Sequence, residues 1–204
     1  MNDNIKLLTE GITKLGLKVD QAKISLLLQF MAILKKWNKV YSLTSITKDD
    51  KIIEFHLLDG LTVIPHLMDI CSIIDVGSGM GVPGIVIAIW CPEKKVTLID
   101  CNHKKTAFLQ QVIIELNLSN VKVVCNTVEN YFPESKYEYA ISRAFGNSRM
   151  FIDKTKHLVK KAFMLMKSQK IQEELIDVSG FQYEIFTLTL PFNQDKRYLL
   201  KIEI

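Results

Sequence analysis

The sequence predicts an α/β fold: a seven-stranded, mostly parallel sheet that ends in a C-terminal antiparallel hairpin and carries an N-terminal helical extension. Three observations predict it. Apolar residues recur at helical spacing over residues 1–70, short apolar runs alternate with helical stretches from Cys71 onward, and the last two runs are joined without a helix. Such alternation implies a parallel sheet covered on both faces, with ligands received at the carboxyl ends of its strands. The organisation expected is therefore residues 1–70, helical, packed on residues 71–204, which hold the sheet.

Taken in order, Ile5, Leu8, Ile12 and Leu15 form the first helical stripe, Gly16 stops it, and Asp20 suits the cap of a second helix. In that helix Ile24, Leu27, Leu28, Met31 and Leu34 share a face, most simply a core face. Lys35, Lys36 and Lys39 surround Trp37 at its end. Trp37 reads as packed beneath the N-terminal helices, because large aromatics are mostly buried. A third helical stretch covers residues 51–67, interrupted near Gly60 and Pro65. Strands are expected at 72–76, 96–100, 121–125, 137–142, 162–167, 182–188 and 197–202. Helices are expected at 83–90, where Pro83 suits a first turn, and at 104–116. Residues 191–195 connect the last two strands as a hairpin, and no internal repeat or low-complexity linker interrupts the chain.

With 204 residues, 48% of them hydrophobic, the chain suits one domain of ordinary size and is too apolar for disorder. No apolar run has the length of a membrane span: 24–34 is broken by Ser25 and Gln29, and 85–90 is short. Met1-Asn2-Asp3-Asn4 lacks a basic-then-apolar leader pattern, so a cytoplasmic protein is expected. Cys71, Cys91, Cys101 and Cys125 stand singly beside apolar runs and are expected to be buried small apolar residues. A Cys101/His103 pair lacks the second pair that a metal site needs, so no metal is expected. The net charge is +4; residues 1–70 hold nine basic against eight acidic residues and 71–204 hold seventeen against fourteen. Any nucleic-acid surface must therefore be local.

Residues 73–84, Ile-Ile-Asp-Val-Gly-Ser-Gly-Met-Gly-Val-Pro-Gly, carry the most chemistry. Gly77, Gly79 and Gly81, on alternate positions, allow positive φ and a close approach to a ligand. Asp100 closes the next apolar run, where a strand end presents a carboxylate to a ribose diol. Nicotinamide and flavin sites use Gly-x-Gly-x-x-Gly, with a pyrophosphate at the helix N-terminus. Here Asp75 stands two residues before the first glycine, where it would repel a pyrophosphate but suit a cationic amino-acid group. A ribose, a sulfonium and an ammonium together describe S-adenosylmethionine, the cofactor expected. The alternative is a tight strand-to-helix turn that binds nothing.

The strand pattern, the glycine turn and the following acid resemble the Rossmann-like class I S-adenosylmethionine methyltransferases. Four segments narrow this: Lys36-Trp37-Asn38-Lys39-Val40-Tyr41-Ser42-Leu43-Thr44-Ser45, His56-Leu57-Leu58-Asp59, residues 75–84, and Ile141-Ser142-Arg143-Ala144-Phe145. In that order, and from about Leu34 to the C-terminus, the chain resembles the bacterial RsmG (GidB) family, guanine-N7 methyltransferases of small-subunit ribosomal RNA. The resemblance implies a substrate that is this RNA or the assembled small subunit, and the chain is expected to be a monomer. It implies that Gly77, Gly79 and Gly81 shape the turn around the methionine part of the cofactor, with Asp75, Ser78 and Val82 also binding it. Asp100 would accept from the ribose hydroxyls, and Val128 and Glu129 would lie near the adenine. Read alone, Glu129 is equally a solvated acid at a helix start.

Arg143 follows a strand that should end in the site, where a guanidinium contacts a phosphate or stacks on a base; it is assigned to both cofactor binding and catalysis. His56 and Asp59, at i and i+3, share a helix face. They are either a local hydrogen-bonded pair or, as the resemblance implies, catalytic residues beside the cofactor pocket. Lys36, Lys39, Lys104, Lys105 and Lys167 are expected to meet RNA. The chain departs from the family at Phe55, Lys105, Ala107 and Thr127, where arginine or another basic residue is usual, and at Ser168, where glycine is usual. Each change removes a charge, a guanidinium or a loop feature that could hold RNA while leaving the cofactor turn intact.

Guanine N7 carries an in-plane lone pair, so its methylation needs no general base. Alignment alone supplies roughly 7–11 kcal/mol. The lack of an obvious nucleophile or His/Asp dyad agrees with that. Three other readings remain: a methyltransferase for a small metabolite with the N-terminal helices as a lid, a non-catalytic cofactor- or ribosome-binding module, and, last, a nicotinamide oxidoreductase.

Overall fold

Helix α1 (Asn2–Lys14) ends where Gly16 turns to φ +71°, and Asp20 then accepts from the N–H groups of Ala22 and Lys23 to start α2 (Gln21–Tyr41). The computed structural model describes residues 2–143, 145–168, 171, 175–176, 178–193 and 196–204. A continuous helical run follows, made of α3 (Asp49–Ile52), a π-helical segment (Ile53–Leu58) and α4 (Asp59–Leu61). The break expected near Gly60 is absent. A Cβ there would sit 3.0 Å from that of Val86, so the missing side chain lets the run approach its neighbour instead of ending it. The interruption falls after Leu61, and Pro65 opens a 3-10 turn, Ile64–Leu67.

The seven expected strands are all present: β1 (Ser72–Val76), β2 (Lys95–Asp100), β3 (Val121–Cys125), β4 (Tyr137–Arg143), β5 (Val159–Lys167), β6 (Tyr183–Thr189) and β7 (Lys196–Glu203). Their order is β3-β2-β1-β4-β5-β7-β6. The first five are parallel, whereas β7 runs antiparallel to both β5 and β6. Helix α5 (Gly84–Trp90) begins after Pro83, which takes the cap position rather than the first turn. Asn102 caps α6 (His103–Leu116) by accepting from Lys104 N–H and Lys105 N–H. A 3-10 turn (Val128–Asn130) follows β3, and α7 (Ser148–Thr155) lies between β4 and β5. Ala144 of the fourth motif and Gln194 and Asp195 of the hairpin loop lie outside the described residues.

Strand residues alternate between two cores, as the pleat requires. Ile73, Leu98, Ile141, Met164 and Leu199 join Leu8, Ile12, Leu27, Phe30 and Phe108 in one cluster. Ile74, Ile99, Phe163, Leu165 and Leu200 join Phe151 and Ile152 of α7 in the other. The N-terminal helices thus share a core with one face of the sheet. Trp37 is half-buried in that layer, its ring centroid 5.8 Å from that of Phe108. The cysteines correct the sequence expectation: Cys91 alone is buried, and Cys71, Cys101 and Cys125 are exposed. These three sit at strand ends, where the chain leaves the sheet for solvent. Among the described residues, no helix is long and apolar enough to cross a membrane.

Candidate active site

At the end of β1 the chain turns through Gly77, Gly79 and Gly81, with φ of +70°, +56° and +85°, values that glycine adopts without a Cβ penalty. Nothing lies within 4 Å of where a Cβ on Gly77 would point. Asp75 is buried beneath this turn, and its Oδ2 accepts from Gly84 N–H at 2.9 Å. Burial pushes its carboxyl up to about 7, against the opposing pull of that bond and of the Arg143 charge. Ser78 Oγ donates to the Asp75 carbonyl at 2.7 Å, and Val82 is buried. Asp75, Ser78 and Val82 therefore build the inside of the turn. Asp100, at the end of β2, ties the turn to the neighbouring strand: its Oδ2 accepts from Gly79 N–H at 3.0 Å and its Oδ1 from Asn102 N–H at 2.9 Å.

In front of the turn, at the carboxyl ends of the parallel strands, lies a cavity of about 460 Å³. Five of the residues expected to bind cofactor line it: Gly77, Asp100, Val128, Glu129 and Arg143. Asp75, Ser78, Gly79, Gly81 and Val82 do not. Other residues line it without having been singled out for the cofactor, among them Asn126, Phe145, Lys105 and Lys154. Asn126 follows β3 directly and Phe145 closes the motif two residues past β4, so the rule that ligands meet strand ends would have found both; Lys154 carries no local signal. Lys105 Nζ lies 3.7 Å from Asp100, and Lys154 Nζ lies 2.7 Å from Glu129 Oε1, holding that carboxyl below the usual range.

The donor set fits S-adenosylmethionine. An ionised carboxylate has about four acceptor sites, so the two N–H groups on Asp100 leave room for a ribose hydroxyl. Val128 and Phe145 offer apolar surface for an adenine, and the volume falls in the ordinary range of small-ligand sites.

Arg143 joins this cavity to the N-terminal helices. Its Nη1 donates to Asp59 Oδ2 at 3.0 Å and to the Phe55 carbonyl at 2.9 Å. His56 is buried, with Nδ1 2.9 Å from the Phe55 carbonyl and Nε2 2.9 Å from Thr44 Oγ1. Thr44 Oγ1 accepts from Ile46 N–H and so has its own proton to give Nε2, which fits a neutral ring protonated on Nδ1. Burial, then the Arg143 charge, lowers its pKa to about 4. His56 and Asp59 are thus not a pair bonded to each other: one holds the Thr44 loop, the other Arg143. The π-helical stretch between them has i→i+5 bonds, and its wider turn separates side chains that an α-helix would stack.

The basic residues divide. Lys36, Lys39 and Lys104 are exposed, and Lys105 faces the cavity. Lys167 differs from the others in place: it is buried at the end of β5, away from the exposed lysines, and donates to the carbonyls of Phe145 at 2.9 Å and Gly146 at 3.2 Å, bracing the loop after β4. At Phe55 the backbone carbonyl takes the site contacts while the ring lies under Lys51 Nζ, so this departure leaves the network whole. Ala107, Thr127 and Ser168 are exposed. Among the described residues no group of three or more His, Cys, Asp or Glu could hold a metal ion. His103 Nδ1 instead lies 3.2 Å from Cys125 Sγ, and Cys101 lines the cavity.

A family model described as GidB, rRNA small subunit methyltransferase G, matches residues 23–187. The ribosomal RNA small subunit methyltransferase G of Chromobacterium violaceum is 39% identical, the match covering 96% of this chain and 95% of that one. Its namesake from Hydrogenovibrio crunogenus is 43% identical over 92% of this chain and 88% of its own. Among solved structures, magnesium protoporphyrin IX methyltransferase from Synechocystis, with bound S-adenosylmethionine, superposes with a TM-score of 0.59 at 15% identity, covering 92% of this chain and 99% of that one. An rRNA methylase from Streptococcus thermophilus gives 0.52 at 16% identity, covering 72% and 93%. At such identities the structural likenesses speak for the fold.

Proposed function

This chain belongs to the GidB family, rRNA small subunit methyltransferase G, and from that premise we propose that it transfers the methyl group of S-adenosylmethionine to N7 of a guanine in small-subunit ribosomal RNA. The observation that carries the reading is the cavity in which the glycine turn, Asp100 and Arg143 meet. The enzyme acts in the cytoplasm, as a monomer, on the RNA or the assembled small subunit.

S-adenosylmethionine, when bound, supplies an electrophilic methyl group on a sulfonium. Gly77, at the start of the turn, receives its amino-acid end, Asp100 accepts from the ribose hydroxyls, and Val128 with Phe145 covers the adenine. Glu129, held by Lys154, closes the outer side. No residue has to take a proton, because the N7 lone pair is already free. His56 agrees with this: a ring with a pKa of about 4 and both nitrogens engaged is a poor proton carrier at neutral pH. Its role is to fix Thr44 beside the Arg143 network. Arg143 supplies positive charge where the cofactor cavity meets the substrate side, for a phosphate or a base.

The test is transfer of labelled methyl from S-adenosylmethionine to small ribosomal subunits from a strain lacking this gene, with mapping of the modified base. Label at one guanine N7 is expected. Gly79→Asp should abolish it, because an aspartate at φ +56° is strained and brings a second carboxylate against Asp100. Cofactor binding without label on any RNA would move the assignment to a metabolite substrate or a non-catalytic module.

A further inference from the structure

Arg143 also lines a second, smaller cavity of about 150 Å³, whose wall includes Asp59, Lys167, Ser168, Arg197 and Tyr198. Asp59 is only 4% exposed, and its Oδ2 accepts from Arg143. Its other oxygen, Oδ1, is buried without a hydrogen-bond partner. Among the described residues one other buried side-chain nitrogen or oxygen has no partner, Arg197 Nε. The two residues that carry this unmet acceptor and this unmet donor thus both line one cavity. Buried polar groups are nearly always satisfied, and an exception calls for an explanation such as an absent ligand.

The ligand implied is flat and carries hydrogen-bond donors for a carboxylate beside an acceptor for a guanidinium. A cavity of this size holds an aromatic ring system. Of the four RNA bases only guanine offers two adjacent ring-edge donors, N1–H and the 2-amino group, next to an acceptor, O6. Asp59 can take both donors, since Oδ1 is unused and Oδ2 keeps a lone pair beyond its bond to Arg143. Recognition along this edge leaves N7 uncovered for reaction, and Tyr198 adds an aromatic wall of the kind that unstacked bases favour.

We propose that this cavity receives the target guanine, with Asp59 accepting from N1–H and the 2-amino group and Arg197 Nε donating to O6. The proposal rests on the reading of the chain as a guanine-N7 transferase and assigns Asp59 to selecting the base, not to moving a proton.

The experiment compares small subunits reconstituted with guanine or with inosine, which lacks the 2-amino group, at the methylated position. The wild-type enzyme should show kcat/KM about 10- to 100-fold lower on inosine, the effect of removing one hydrogen bond to a charged acceptor. Asp59→Asn, checked for folding by its binding of S-adenosylmethionine in calorimetry, should lose rate on guanine and bring the two substrates within roughly threefold of each other. Equal wild-type rates on the two substrates overturn the proposal while leaving the transferase reading intact, and this arm needs no variant. A full guanine preference retained by Asp59→Asn also overturns it. Failure of the wild type to label guanine-containing subunits, with cofactor bound, removes the transferase reading and the proposal together.

Discussion

Asp75 and His56 are buried within one site region and titrate in opposite senses. Burial raises the Asp75 carboxyl to about 7, so between its unfolded value near 4 and pH 7 the native state holds a proton that the unfolded chain has released. Its contribution to stability is full below pH 4 and is lost as pH rises toward 7. His56 behaves in reverse: below 6.5 the unfolded chain takes up a proton that the native ring refuses until about pH 4. Its contribution is present above pH 6.5 and is lost as pH falls to 4. The two slopes oppose each other across one window. Asp75→Asn, which keeps an acceptor for Gly84 N–H, should leave the His56 slope alone, and the cofactor-free variant should lose on the order of 3 kcal/mol between pH 6.5 and 4. Denaturant titrations at several pH values check this; a variant that tracks the wild type across the window contradicts it. The turn glycines and Asp100 were legible in the sequence because their demands are local, a positive φ and a strand end. Lys167 was not, because its burial depends on the carbonyls of Phe145 and Gly146, more than twenty residues back along the chain.

The junction of β1, the glycine turn and α5 works as one element, held by Asp75 below and Asp100 beside it. Gly84 is its tightest point. A Cβ there would sit 2.2 Å from Leu98 Cδ2 and 2.6 Å from Asp75 Oδ2. Glycine to alanine in a helix ordinarily stabilises by up to about 1 kcal/mol, yet overpacking a filled core costs about 1–3 kcal/mol, and contacts this short decide for the second effect. Gly84→Ala should therefore lower the denaturant midpoint, with a loss of cofactor affinity alongside; an unchanged midpoint contradicts this packing. Strands were legible as elements, including the hairpin, since apolar runs and their spacing carry them. The π-helical segment was not: nothing in Ile53–Leu58 distinguishes i→i+5 from i→i+4 bonding until Arg143 and Thr44 supply the partners that hold it.

Across the whole molecule, charge is spread rather than concentrated, and the candidates for RNA contact are local. Lys36 and Lys39 stand exposed near the end of α2, and Lys104 lies in the first turn of α6. If Lys36 and Lys39 each meet a phosphate, replacing both by alanine should weaken subunit binding and reduce the slope of log K against log salt by about 2, with cofactor affinity unchanged. Filter binding over a salt series measures this, and an unchanged slope removes both from the RNA surface. Membership of the sheet followed from periodicity, and the packing of the N-terminal helices against it was expected because no low-complexity linker interrupts the chain. The meeting of Asp59, Arg143 and Arg197 did not, because three distant stretches of chain converge there. The shared core also sets an order of events at birth. The stripe of α2 is covered by α5 and α6, and Phe30 meets Phe108, seventy-eight positions later. At about 5–20 residues per second of synthesis, that apolar face waits roughly ten seconds for its cover after leaving the ribosome. The growing chain thus passes through a stage in which the apolar stripe of α2 is left uncovered, before the portion that gives it a place to dock has been translated.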